Sequence, residues 1–137
     1  MSVRSDLIES VRLLFTVSSL GITSASYVMR RVNPTELDFT QFPLTHILAP
    51  DEQIKHSPGR ELNPELTVET RVFYNNPTSI EIESLISNLK IITSSWSPSG
   101  ANWSRLSSVV VRSEQQTKFV EVAFIFRISY WTPDNQP

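Results

Sequence analysis

F-V-E-V-A-F-I-F-R-I-S-Y-W, residues Phe119–Trp131, is the stretch that decides the fold. Its even positions, Val120, Val122, Phe124, Phe126, Ile128 and Tyr130, are all apolar. Its odd positions, Phe119, Glu121, Ala123, Ile125, Arg127, Ser129 and Trp131, are mixed. A period of two marks a strand, because successive side chains leave a strand on opposite faces. At ~3.3 Å per residue the run extends roughly 40 Å, well past a typical strand of about 5–6 residues. Such a strand outgrows a small sheet, and its half-apolar second face predicts cover by a helix, a second sheet or another subunit. The pattern reads more readily as an assembly component than as an enzyme.

The rest of the chain is consistent with a single domain. Its 137 residues suffice to bury a core without disulfides. At 39% hydrophobic and 19% charged, the composition matches an ordinary globular chain. The formal net charge of −2 carries no basic excess of the kind that holds nucleic acid tightly. Cysteine is absent, which removes disulfides, thiolate metal sites and a cysteine nucleophile together. The three glycines, Gly21, Gly59 and Gly100, are too far apart for a glycine-rich phosphate cradle.

No apolar run reaches the roughly 18–20 residues that cross a bilayer. Arg12 before Leu13–Ile22, with Thr23-Ser24-Ala25 following, imitates a signal peptide. Asp6 and Glu9 in the basic region, and Thr16, Ser18 and Ser19 in the apolar one, argue against it.

Leu7, Val11, Leu14 and Phe15 form one stripe at helical spacing, so residues 5–19 are predicted helical. Ser5 or Asp6 is its candidate cap, and Gly21 its stop. Residues 22–32 alternate weakly and are read as a strand that ends before the Asn33-Pro34 turn. Residues 33–42 follow as a loop, and 43–49 as a short strand opened by Pro43. Residues 50–64, P-D-E-Q-I-K-H-S-P-G-R-E-L-N-P, read as one long charged loop or arm. Residues 65–75 alternate again, with Glu65, Glu69 and Arg71 on a charged outer face.

Thr78 and Glu81 make a capping box that starts a second helix over 79–92. A polar turn over 93–104 carries Trp96 and Trp103. A strand over 105–113 and a hairpin loop at Glu114–Thr117 lead into the last strand. Strands with helices at two points predict an α+β fold, a largely antiparallel β-sheet with two helices packed on it.

Motifs for catalysis are missing. His46 and His56 are the two histidines, and neither lies in a metal-ligand spacing. The serine pairs at 94–95 and 107–108 lie in no nucleophile motif, and the acidic residues form no cluster. A non-enzymatic chain without cofactor or metal is therefore expected. What remains are the charged segment, with Ile54 and Leu62 as apolar anchors and Arg60 among its charges, and the two tryptophans. Trp96 and Trp103 either cover the open end of the core or act as interface hot spots.

In its layout the chain resembles phage tail terminator proteins, small α+β subunits that close the head-proximal end of the tail tube. The pieces that carry the resemblance are the helix at 5–19, Q-F-P-L-T-H-I-L at 41–48 and V-E-T-R-V-F-Y at 68–74. T-S-I-E-I-E-S-L-I-S-N-L at 78–89 and the closing strand at 119–130 complete them. The resemblance implies a homohexameric ring in the virion, assembled in the host cytoplasm. It implies contacts to the tail tube protein and to a neck or head-completion protein, and to the sheath where the tail contracts. It also implies DNA that only passes through the lumen, with no membrane contact.

The ring interface is expected along Lys118–Trp131 or 65–75, with Phe119, Ile125, Arg127 and Trp131 as contacts. The 50–64 arm is expected to reach axially or onto the adjacent subunit. Two other readings remain open: another neck or head–tail joining protein, and a cytosolic dimeric α+β domain binding a small ligand between sheet and helices.

Overall fold

The computed structural model describes residues 3–33, 36–37, 41–48, 50–57, 61–113, 118–130 and 132–133, with backbone alone for 51–57, 61–63 and 132–133. Its elements run α1 (Val3–Leu14), a 3₁₀ turn (Ser18–Leu20), β1 (Ser24–Val28), β2 (Leu44–Leu48), β3 (Asp51–Ser57) and β4 (Glu61–Asn75). They continue with α2 (Ser79–Ser94), β5 (Ala101–Ser113), β6 (Phe119–Tyr130) and β7 (Thr132–Pro133).

All strands belong to one sheet, ordered β1-β2-β4-β6-β5, with β3 and β7 also paired to β4. Every pairing is antiparallel except β1 with β2. The fold is α+β, as its sequence predicts.

β4 is the spine. One edge carries β2 and then β3, and the other carries β6 and then β7. β7 holds the register of β6, since Ser129 faces Glu65 and Thr132 faces Leu62. Between β2 and β3 the register slips: Ile47 faces Thr70 and Asp51 faces Thr67, four steps against three. An extra residue on one strand is a bulge, the place a sheet tolerates Pro50.

The segment read as a loop at 50–64 is therefore a β-hairpin in backbone. Its prolines and charges suggest a break, but Pro64 sits in β4 opposite Ile54, and pairing to a long spine outweighs local composition.

The apolar face of β6 lies under both helices, with Val122, Phe124, Phe126 and Ile128 fully buried. Leu7, Val11, Leu14 and Phe15 of the α1 region, and Ile82, Leu85 and Leu89 of α2, complete the core. Phe15 meets Phe124 and Phe126 with ring centroids 5.8 and 5.9 Å apart.

α1 starts at Val3, earlier than predicted, so Ser5 and Asp6 lie inside it rather than capping it. It ends at Leu14, and the 3₁₀ turn then stops at Gly21, whose φ of 66° suits a residue without Cβ. The capping box at Thr78 and Glu81 is formed. β5 begins at Ala101, four residues before its predicted start, which puts Trp103 in a strand rather than a turn. The predicted loop Glu114–Thr117 lies outside the described residues.

Candidate assembly surface

Among the described residues the second face of the sheet carries no helix, yet much of it is buried. Leu44, His46, Leu48, Glu65, Arg71, Phe73, Glu121, Ala123 and Ser129 all have low exposure. Topology supplies the reason. Parallel strands require a crossover that returns the chain to its starting end. Of the described residues between β1 and β2, Arg31, Val32 and Phe42 lie against the helix-free face. Arg31 donates to Glu69 at 2.6 Å, and Arg71 donates to the Val32 carbonyl. Phe42 stacks on Phe73, with centroids 6.3 Å apart, and meets Phe119 edge-on at 5.6 Å. The charged face predicted to be solvent-exposed on 65–75 is thus largely covered.

Beneath this crossover runs an ionic ladder across three strands. Arg71 of β4 pairs with Glu121 of β6, and Arg112 of β5 reaches the same carboxylate at 2.7 Å. Further along, Arg127 pairs with Glu65. Trp103 has two guanidinium groups near its ring, Arg105 at 5.1 Å and Arg127 at 5.9 Å from its centre. Burial, reinforced by the positive charge of Arg71, pushes the His46 imidazole below its ordinary pKa. Its Nδ1 makes no hydrogen bond among the described residues.

Where the crossover stops, an open cavity of about 280 Å³ remains, lined by Met29, Arg30, Arg31, Leu48, Thr67, Glu69 and Ile125. Among the described side chains of this face and of the crossover, Arg30, Arg31, Arg71, Arg105, Arg112 and Arg127 outnumber Glu36, Glu65, Glu69 and Glu121. This is a locally basic surface on a chain of net charge −2. Exposed Met and Trp amid arginine are also what protein interfaces favour.

The candidate contacts separate cleanly. Trp103, Phe119, Ile125 and Arg127 share the helix-free face. Trp96 lies on the other side, edge-on to Phe126 at 5.6 Å, and helps close the core. Ile54 and Leu62 fall on the hairpin, opposite Pro64 and His56 in backbone register. Arg60 and Trp131 lie outside the described residues.

β6 and residues 65–75 of β4 have strands on both sides, so neither offers a free backbone edge. Contacts there are limited to their faces. Arg30, Arg31, Arg105 and Arg112 were not legible as a group, since their convergence depends on the crossover and on strand order.

The described residues contain no group of three or more His, Cys, Asp or Glu able to hold a metal ion. Among them no helix is long and apolar enough to cross a membrane.

No family model matches the chain, and no curated protein matches it by sequence. A solved structure does. The chain is similar to a chain of the virion of a native gene transfer agent (GTA) particle, with a TM-score of 0.69 at 8% identity. The match covers 96% of this chain and 98% of that one. The likeness is one of fold. It spans α1, the sheet and α2 together rather than a shared fragment.

Proposed function

We propose that this chain is a structural, non-enzymatic subunit of a phage-like virion, and specifically a tail terminator. In this reading it forms a ring, expected to be hexameric, on the last ring of the tail tube. It joins that tube to a neck or head-completion protein, while DNA passes through the lumen. The observation that supports the virion part of the reading is the end-to-end fold match to a virion chain, and the terminator role rests on the resemblance in layout.

Two features support it. Tube subunits added head to tail continue indefinitely unless a subunit matches one ring and presents a different surface on its other side. This sheet has two unlike faces: one sealed by helices, the other arginine-rich and only partly covered. Its rim strands also remain available for pairing with a neighbour.

The test is the mass of the purified protein across concentrations, with negative-stain images in the presence and absence of tail tubes. A closed ring of about six copies, alone or at tube ends, is the expected result. A compact dimer at every concentration that ignores tube ends overturns the terminator reading. Attachment to isolated heads but not to tubes shifts the role to head–tail joining.

A further inference from the structure

The backbone edges of the sheet are unequal. β1 is five residues long and flanks β2. β5 is thirteen residues long and, among the described residues, pairs on one side alone, with β6. Its first half is irregular, with register shifts between Ala101 and Trp103 and between Leu106 and Ser108. From Ser108 to Ser113, S-V-V-V-R-S, it pairs without interruption and holds neither proline nor lysine. Val110 is 41% and Val111 49% exposed. A regular, β-branched edge is what chains normally guard against strand addition, and here three valines in a row, with Arg112 as the one charge, leave it open.

The opposite rim carries its counterpart. β3 pairs with β4 on one side, and no described strand lies on its other side. Its seven residues, D-E-Q-I-K-H-S, are one more than the six of the regular stretch of β5 and can span it fully. Its acidic start suits the arginines of β5. In an antiparallel register that keeps the two sheets the same way up and sets Asp51 against Arg112, Gln53 falls against Val110 and Ile54 against Val109.

We propose that β3 of one copy adds to the Ser108–Ser113 edge of β5 in a second copy, extending the sheet from subunit to subunit. This rests on the ring reading above and names the contact that closes it. Because the two edges differ, the contact is head to tail, the kind that yields rings rather than symmetric dimers. Main-chain hydrogen bonds hold the strands together, and the Asp51–Arg112 and Ile54–Val109 pairs select the register.

The absence of cysteine makes the test direct. Within one chain β3 and β5 are separated by β4 and β6, on the order of 14 Å at ordinary strand spacing, so no intramolecular disulfide can bridge them. Under mild oxidation, Gln53→Cys/Val110→Cys is expected to give a covalent ladder ending at the ring size. A mixture of the two single variants is expected to give cross-linked dimers, and each variant alone none. Val110→Lys is expected to abolish assembly with an unchanged circular dichroism spectrum, and Val110→Thr to retain it.

Assembly of the wild-type chain without either cross-link, or assembly that survives Val110→Lys, overturns this contact and leaves the ring reading standing. Cross-linking of Val110→Cys to itself indicates a symmetric β5 pair and overturns the contact. A cross-linked head-to-tail species that never closes into a ring upholds the contact and overturns the terminator reading. A wild-type chain that stays monomeric, with and without tubes, overturns both.

Discussion

Phe124 is fully buried against Phe15, and Ile125, one residue on, lies on the opposite face beside Met29 and Glu69. One alternation of a strand therefore separates a folding residue from a surface residue. Phe124→Asp places a carboxylate in the core and is expected to cost about 4 kcal/mol or more, enough to unfold a domain of ordinary stability. Ile125→Asp is expected to leave the circular dichroism spectrum and the monomer intact while weakening assembly in sizing experiments. Unfolding by Ile125→Asp instead assigns that face to the monomer core.

His46 gives a pH dependence at the same scale. Its folded pKa lies below the usual value near 6.5, so the unfolded chain binds the extra proton first. Stability is full above that value and falls as pH drops from about 6.5 toward the folded pKa. Urea midpoints are expected to decline between pH 7 and 5, and His46→Phe to flatten that decline.

Among the elements, α2 and the β4–β6–β5 ladder rest on different physics. α2 begins with a complete capping box, local in sequence, so Thr78→Ala is expected to cost about 1 kcal/mol, read as a lower urea midpoint at unchanged m-value. The ladder joins residues far apart in the chain, with Arg71 and Glu121 both largely withdrawn from water. Glu121→Ala strands the Arg71 guanidinium and is expected to cost about 3–5 kcal/mol. The paired replacement Arg71→Met/Glu121→Leu is expected to restore most of that loss, because it removes both charges together. A double-mutant cycle in urea measures the coupling, and additive losses would show that the pair contributes nothing.

Over the whole molecule, what was legible follows from the range of each interaction. The two helix stripes, the Thr78 box, the stop at Gly21 and the buried even face of Phe119–Tyr130 are all written in short-range patterns, and all are present. The α+β class follows from their order. The hairpin at 51–67 was not legible, because prolines and charges locally resemble a loop, and only the length of β4 supplies a partner for β3. Burial of Glu65, Arg71 and Phe73 was likewise hidden, since alternation reveals two faces of a strand but not what crosses them.

By itself, then, the sequence determined which residues alternate, where the helices cap and which face of the last strand is apolar, because each depends on neighbours a few residues away. The tertiary structure decided that β6 is interior and β5 a rim. It also decided that Arg31, Val32 and Phe42 lie against the helix-free face and that arginines from four separate segments meet there. Strand order and crossover path are set by packing between segments tens of residues apart, and no local periodicity encodes them.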